Sequence, residues 1–587
     1  QMSRSPLPRA WRLSVPASKA VRVAGRRTTG FAVAACVGSF LALSSSAVGF
    51  QTAAASIGKG FANKNQNTCL SASMSTSAVD VREQYQQLCG KLRKIAHLEG
   101  TMGLLGWDEQ TMMPQGSEAA RGNQKAALAG VVHQAKVDQE IGELISSIER
   151  VGTGELNTVE KANLREAKER FERDSRMSSE LASKAALLES QTYAAWVRAR
   201  SQADFEAFAP HLSAMIDLRK EILKATKPDM DLYDGAIDNF DPRMQAPRIA
   251  QVFDQVKTGL APMIKQIAEK VEADPALNDV PAALKGGPEW DPAKQAQMCK
   301  EVAEALGFDF EKGRMDVSVH PFTGGSHPTD VRITTRYSEE NWMEGVMGTI
   351  HECGHAMYEQ GRSAQNMDLP VSEPLGMATH ESQSLLWERC VGQSRAFWTW
   401  ATPIMHRYFP HTKECSAEDF YRAVNIVKPS LIRVDADEVT YPLHVAIRFE
   451  IEKGLFDGSV QVKDLPTTWN TKMKDYLGVV PPSDKEGVLQ DVHWSMGAVG
   501  YFPSYTLGAM MAAQVYDKAK EEVEGLEEKI AKGEFKPLKE WLNTRIHDQG
   551  SVHPSADALL EAVTDKTLDP SIFISYLTNK YTDIYKL

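Results

Sequence analysis

The residues best suited to chemistry are two histidines four positions apart, in the string His351-Glu352-Cys353-Gly354-His355. On a helix, side chains at i and i+4 share one face, so both imidazoles can bind one zinc ion. Glu352 lies one step round the helix, where its carboxylate can stay off the ion and accept a proton from an attacking water. The string therefore predicts a zinc site with Glu352 as general base. The alternative is a chance match in which two surface histidines bind nothing.

A third ligand is predicted from Glu381. The residues from Thr379 to Gln383 are expected to begin a second helix that runs towards Trp400, with Glu381 in its first turn. If the two helices cross near His355, the Glu381 carboxylate reaches the ion and leaves the fourth position for water. The alternative is a capping acid favoured by the helix dipole, in which case Glu359 and Glu388 are the next candidates for the third ligand.

The segment before the metal motif has a different period. Apolar and polar residues alternate in 315–320 and again in 331–337, which predicts a short antiparallel ribbon around the loop 323–328. Ser338 is expected to cap the metal helix and Gly361 to end it.

Most of the chain from Val81 onward shows apolar residues at spacings of three and four, as in 81–99, 156–200, 205–225, 246–273 and 516–532. This pattern predicts a mainly α fold. No repeat or long linker follows residue 80, so we expect residues 80–587 to form one catalytic domain. It would have two helical lobes about a cleft, divided near the Pro/Gly-rich stretch 274–292.

Composition excludes several classes of protein. The net charge is −11 although residues 1–79 carry nine Lys or Arg and no acidic residue, so the rest of the chain is strongly acidic and unsuited to nucleic acid. The seven cysteines are few and odd in number, which is not a disulfide framework.

Residues 1–79 resemble a targeting leader. A basic start, an apolar stretch from Phe31 to Phe50 and a Ser/Ala-rich continuation are typical of a signal peptide followed by a transit peptide. We expect this leader to direct the chain to a plastid and to be cleaved or disordered. The alternatives are a mitochondrial presequence, a membrane anchor, or a cytoplasmic protein that starts at Met74. We expect no stable membrane insertion of the mature protein.

Several strings resemble the carboxypeptidase Taq family of metallocarboxypeptidases. Besides the metal motif they are His-Glu-Ser-Gln at 380–383, His-Pro-Phe at 320–322, Asp-Val-Arg-Ile-Thr at 330–334, Ile-Arg-Val-Asp-Ala-Asp-Glu at 432–438 and Gly-Val-Leu-Gln-Asp-Val-His-Trp at 487–494. The likeness runs from about Tyr85 to Tyr585. Two departures are Asp241-Pro242-Arg243 in place of Glu-Pro-Gly, and Thr564-Asp565 in place of Thr-Gly. Because both lie away from the metal motif in sequence, we expect them to affect local turns only.

The resemblance implies a broad-specificity carboxypeptidase that removes single C-terminal residues from peptides. It also implies a helical, neurolysin-like fold with a cleft, a homodimer, and zinc or cobalt as the metal. By likeness to the related oligopeptidases, His493 and Tyr505 are the predicted oxyanion stabilisers, and Tyr501 is the competing tyrosine. The alternative for this stretch is aromatic core.

An exopeptidase must also bind the terminal carboxylate of its substrate, and a guanidinium fits that group best. Arg433 and Arg332 are the candidates, Arg433 with an internal ion-pair network as its alternative. Two other functions stay open at this point. One is an endo-oligopeptidase of the neurolysin type, and the other is a catalytically silent helical scaffold that keeps zinc for structure.

Overall fold

The amphipathic pattern that begins at Val81 forms the first helix, Val81–Thr111 (α1), in the computed structural model, which describes residues 80–587. The side chain of Asp80 caps this helix by accepting hydrogen bonds from the backbone amides of Arg82 and Glu83. The cap satisfies donors that every helix start leaves without an intrahelical partner.

Helices dominate the rest of the described chain, which confirms the predicted mainly α fold. They are Glu118–Lys136 (α2), Gln139–Val151 (α3), Thr158–Arg176 (α4), Ser179–Gln202 (α5), Phe205–Thr226 (α6), Leu232–Asp238 (α7), Ala246–Ala273 (α8), Pro292–Leu306 (α9), Trp342–Gln360 (α10), Gly376–Leu385 (α11), Arg395–Tyr408 (α12), Ala417–Ala423 (α13), Tyr441–Asp457 (α14), Leu465–Leu477 (α15), Pro503–Glu522 (α16), Leu526–Ala531 (α17), Lys536–Arg545 (α18), Ala556–Thr564 (α19) and Pro570–Tyr585 (α20).

A π-helical segment, Leu386–Gly392, continues directly from α11. The second helix of the predicted site therefore begins earlier and ends sooner than its sequence indicated. Glu381 lies in the second turn of α11, and the backbone towards Trp400 passes through the π segment before α12. π segments are rare and occur often at functional sites.

The small sheet differs from the predicted ribbon. Its strands are Gly313–Val317 (β1), Phe322–His327 (β2) and Asp330–Thr335 (β3), in the order β1-β3-β2. β1 runs parallel to β3, and the antiparallel partner of β3 is β2, which is the segment predicted as a loop. The prediction misassigned β2 because its glycine pair is typical of a turn.

The helix that carries the metal motif, α10, begins at Trp342 after Asn341 and ends at Gly361. Ser338 was predicted as its cap, but its hydroxyl accepts a hydrogen bond from the amide of Glu340, before the helix starts. The predicted end of the helix is correct.

The largest apolar core draws residues from α5 to α20, and α10, α11 and α16 all contribute to it. A second cluster lies among α1, α3 and α4. None of the helices among residues 80–587 is both long enough and apolar enough to cross a membrane. The predicted leader, residues 1–79, lies outside the described residues, and the domain limits and lobes stay predictions.

The two departures from the family pattern share one backbone feature. Arg243 and Asp565, which stand where glycine was expected, have φ angles of 64° and 61°. This left-handed region favours glycine, because a Cβ there approaches the following carbonyl oxygen. Glycine would adopt both turns without strain, whereas Arg243 and Asp565 adopt them at some cost in free energy.

Candidate metal centre and active site

Gly354 allows α10 and α11 to cross closely. A methyl group at Gly354 would lie 2.5 Å from the carbonyl oxygen of Gln383 and 2.6 Å from the Cα of Ser384. Only a residue without a Cβ permits this approach. The crossing places the histidine face of α10 against Glu381.

Three predicted ligands come together at the crossing. One donor atom from each of His351, His355 and Glu381 lies within 4.8 Å of the other two. Oε2 of Glu381 is 3.3 Å from Nε2 of His355 and 3.9 Å from Nε2 of His351. Two imidazoles and one carboxylate form a common donor set for catalytic zinc. These side chains therefore fit a divalent ion. Cys353 is fully buried and is not a member of this group.

Glu388 orients the ring of His351. Nδ1 of His351 is 2.7 Å from Oε2 of Glu388, in the π segment. A carboxylate accepts, so Nδ1 carries the proton and Nε2 can offer its lone pair to a metal. Burial opposes the charged imidazolium, but Glu381 and Glu388 raise the pKa of His351 to about 10. Metal binding at Nε2 is therefore coupled to proton release.

A second chain of hydrogen bonds orients His355. Its Nδ1 is 2.6 Å from Nδ1 of His380, whose Nε2 is 2.9 Å from Oε1 of Glu359. Arg362 donates to the other oxygen of Glu359 at 2.9 Å. If Nε2 of His355 faces a metal, its Nδ1 donates to His380, which in turn donates to Glu359. Burial opposes ionisation of Glu359, but Arg362 and His380 lower its pKa to about 2, which keeps the acceptor charged.

Glu352 is 2% exposed, and a residue of the sheet holds its carboxylate in place. The hydroxyl of Thr323, on β2, donates to Oε2 of Glu352 at 2.6 Å. Burial raises the pKa of Glu352 to about 7, although His351 and the bond from Thr323 oppose the rise. A carboxyl group with a pKa near neutrality is well matched to general-base work.

His493 and Tyr505 form a buried pair. Nε2 of His493 is 3.2 Å from the phenolic oxygen of Tyr505, and the ring of Tyr501 packs against both, at centroid distances of 5.5 and 5.3 Å. Burial, together with the nearby Arg433 guanidinium, lowers the pKa of His493 to about 3. This imidazole is therefore neutral at neutral pH.

Helix α16 connects Tyr505 with the metal-ligand group. Gly508 lies three residues, or about one turn, after Tyr505. A methyl group at Gly508 would lie 2.9 Å from Cβ of Glu381. The proposed oxyanion donor thus comes from the helix whose backbone contacts the carboxylate ligand.

Arg433 lies in the internal network that was its alternative. Its Nε and Nη2 donate to Oδ1 of Asp491 at 3.1 and 2.9 Å, and its Nη1 donates to the hydroxyl of Tyr441 at 2.6 Å. Arg448 donates to the other oxygen of Asp491. The Arg433 guanidinium also lies 4.8 Å from the ring centroid of Tyr505, so the network is next to the His493–Tyr505 pair.

Arg332 is held at the sheet. Its Nε and Nη2 donate to the two oxygens of Asp330 at 2.7 and 2.9 Å. Its guanidinium lies 5.8 Å from the ring of Trp107, on α1. These contacts link the sheet to α1, and none joins Arg332 to the ligand group.

Sequence reasoning did not assign an orienting role to the residues that orient the site. Glu388 and Glu359 were only the next candidates for the third ligand, and Glu388 follows Glu381 by seven residues, or two helical turns, and so belongs to the same face. Asp241 was noted only as a departure from the family pattern. It was expected to affect only a local turn, which is wrong, since its two oxygens accept hydrogen bonds from the amide of Ala378 and the hydroxyl of Ser504, both at 2.6 Å. Asp241 therefore joins the starts of α11 and α16.

Comparison with known proteins decides the family. The family model described as carboxypeptidase Taq (M32) metallopeptidase matches residues 87–581. The chain belongs to this family. M32 members are metallocarboxypeptidases, which are hydrolases, so this chain is a metallocarboxypeptidase and its metal is a divalent ion.

Named relatives agree with the M32 assignment. The chain is 38% identical to thermostable carboxypeptidase 1 of Thermus thermophilus over 85% of its own length and 99% of the relative's. It is 36% identical to carboxypeptidase 1 of Bacillus subtilis, over 84% and 97%. The M32 carboxypeptidase structure from Deinococcus radiodurans superposes with a TM-score of 0.82 at 34% identity, covering 86% of this chain and all of that one.

Proposed function

We propose that this chain is a zinc-dependent carboxypeptidase of broad specificity that releases single C-terminal residues from peptides. The observation that carries the proposal is the convergence of His351, His355 and Glu381 beside the buried carboxylate of Glu352. A structural zinc site has four protein ligands and no need of a free base.

His351, His355 and Glu381 would hold the ion through two nitrogens and one oxygen. Zinc is proposed because this donor set is typical of zinc hydrolases, and cobalt is the alternative metal. A bound ion would polarise the scissile carbonyl and acidify the attacking water. Glu388 and the His380–Glu359 pair keep both imidazoles in the tautomer that binds metal.

Glu352 acts as general base in this proposal. Its carboxylate takes the proton of the attacking water and delivers it to the leaving amine. The hydrogen bond from Thr323 fixes one carboxylate oxygen, so the other oxygen is left to face the substrate.

Tyr505 and His493 are proposed to stabilise the oxyanion. Nδ1 of His493 is buried and has no hydrogen-bond partner among the described residues. The neutral tautomer with its proton on Nε2 therefore leaves no buried donor unsatisfied at Nδ1. Nε2 then donates to Tyr505 at 3.2 Å, and we propose the phenolic hydroxyl of Tyr505 as the donor to the oxyanion. Tyr501 packs on both rings and is the second tyrosine to test.

Binding of the substrate's free C-terminus is proposed to need a guanidinium, and Arg433 and Arg332 are the candidates predicted from the sequence.

The function is tested with two peptides of one sequence, one ending in a free acid and one in an amide. A carboxypeptidase releases the last amino acid from the acid and acts poorly on the amide. Equal release from both would contradict the proposal.

Two further proposals concern assembly and cellular compartment. We propose that the protein is a homodimer, which light scattering can test by measuring its molar mass in solution. We also propose that residues 1–79 direct the protein to a plastid, with a mitochondrion or the cytoplasm as the alternatives. A fluorescent protein fused after residue 79 would report the compartment.

A further inference from the structure

Arg389 is a buried guanidinium without an ionic partner among residues 80–587. It lies in the π segment beside Glu388 and is 8% exposed. Its Nη1 has no hydrogen-bond partner among the described residues, and no carboxylate among them lies within ion-pair distance. Arg433 and Arg448, which are also buried, both pair with Asp491.

The charge on Arg389 is maintained. Burial opposes it, but the carboxylates of Glu388 and Glu438 raise the pKa of Arg389 above its ordinary value. Glu438 is itself paired with Lys580 and bonded by Tyr581. A buried charge with no direct partner lowers stability, and a carboxylate of a bound ligand would supply the missing partner of Arg389.

The ring of Tyr441 places Arg389 close to the proposed oxyanion donor. The Arg389 guanidinium lies 5.1 Å from this ring, and Arg433 lies 5.7 Å from it. The ring of Tyr505 is 6.1 Å from that of Tyr441. The hydroxyl of Tyr441 accepts from Arg433, whereas Arg389 meets the ring of Tyr441 and its Nη1 has no hydrogen-bond partner among the described residues.

We propose that Arg389 binds a carboxylate of the peptide substrate, either the free C-terminus or an acidic side chain of the last residue. Arg433, whose Nε, Nη1 and Nη2 already donate to Asp491 and Tyr441, would then be a positioning residue that fixes the Tyr441 ring between the two guanidinium groups. This inference rests on the proposed carboxypeptidase function. It adds the side chain that binds a negatively charged carboxylate of the substrate.

The test compares Arg389→Gln and Arg389→Lys with a control, Arg407→Gln, whose side chain is 58% exposed. Each protein is given N-terminally blocked peptides that end in leucine as free acid, leucine as amide, glutamate as free acid, and glutamine as free acid. Bound zinc and the thermal midpoint are measured on the same samples.

For Arg389→Gln we expect kcat/KM to fall about tenfold to a hundredfold on the peptides whose carboxylate Arg389 binds. The fall should come mainly through KM, as for a lost charge-assisted hydrogen bond. Arg389→Lys should recover part of the loss, because it keeps the charge without the planar fork. The zinc content should not change. The thermal midpoint should stay or rise, since an unpaired buried charge is removed.

A loss on all free acids but not on the amide identifies the terminal carboxylate, and a loss confined to the peptide ending in glutamate identifies the side chain. Both outcomes support the inference. An equal loss on every peptide, or none beyond that of Arg407→Gln, overturns it. If Arg389→Gln loses zinc or melts earlier, Arg389→Lys is used in its place. The ratio of its kcat/KM on the free acids to its kcat/KM on the amide then decides between the same outcomes. If the wild type releases no C-terminal residue, it is the proposed function that fails.

Discussion

The backbone of Gly508 lies against the side chain of Glu381. A methyl group there would be 2.9 Å from Cβ and 3.0 Å from Cγ of Glu381. Helix α16 thus limits where the proposed carboxylate ligand can go. Because the same helix carries Tyr505, the metal ligand and the proposed oxyanion donor share one support.

The change Gly508→Ala should displace Glu381 and weaken the metal site. The added methyl has no space, and overpacking of this kind costs about 1–3 kcal/mol. We expect bound zinc after dialysis to fall below that of the wild type. Gly122→Ala is the matched control, because a methyl at Gly122 on α2 meets nothing within 4 Å and should be neutral or stabilising. Full zinc occupancy in Gly508→Ala would show that the contact does not position Glu381.

Two glutamates at the metal site have different proposed roles, Glu381 as a ligand and Glu388 as the residue that orients His351. Glu381→Ala should abolish stoichiometric zinc, because one of three protein ligands is gone. Glu388→Gln should weaken zinc binding only about tenfold to a hundredfold, since the amide oxygen still accepts from His351 but the charge is lost. Competition with a chelator measures both affinities. The reverse order would make Glu388 the ligand and Glu381 the orienting group.

The base can be tested separately from the metal. Glu352→Gln keeps the size of the side chain and removes its capacity to accept a proton. We expect zinc content to stay at the wild-type level and kcat to fall by about 10² to 10⁴. The measurement is turnover at saturating peptide, with metal analysis on the same sample. Activity above about a tenth of wild type would exclude Glu352 as the general base.

Local pattern was enough to predict much of this protein. The amphipathic period located α1 and α8, and the two-histidine spacing located the face of α10 that meets Glu381. These features depend on neighbours within a few residues. The β2 strand was missed because Gly324 and Gly325 are typical of turns, and only pairing with β3 makes the segment a strand.

The partners of the other site residues could not be predicted, because tertiary contacts define them. Arg433 meets Asp491 across 58 positions. Asp241 meets Ala378 and Ser504 across 137 and 263 positions. No periodicity carries information over such separations, so the orienting network appears only in the folded structure.

Asp241 should make stability depend on pH. Burial raises the pKa of Asp241 to about 6, from an ordinary value of 3.8, although the bonds from Ser504 and Ala378 oppose the rise. The folded state therefore holds this proton more tightly than the unfolded state. Its contribution is present below about pH 4 and is lost as pH rises to about 6, by roughly 3 kcal/mol at about 1.4 kcal/mol per unit.

The measurement compares the wild type with Asp241→Asn, in which the amide can keep both contacts without titrating. Urea unfolding at several pH values gives the difference in unfolding free energy between the two proteins. The wild type should lose stability relative to Asp241→Asn from about pH 4 to pH 6, with no further change above. A difference independent of pH would mean that Asp241 stays ionised throughout.

The most direct test of the central claim is a time course of product masses from one N-terminally blocked peptide incubated with the zinc-loaded protein. We predict a ladder in which products that lack one, two and then three C-terminal residues appear in order, each with a free amino acid. Removal of zinc by a chelator should stop the ladder, and added zinc should restore it. A first product cut at an internal bond, with two peptides and no free amino acid, would contradict the account and indicate an endo-oligopeptidase.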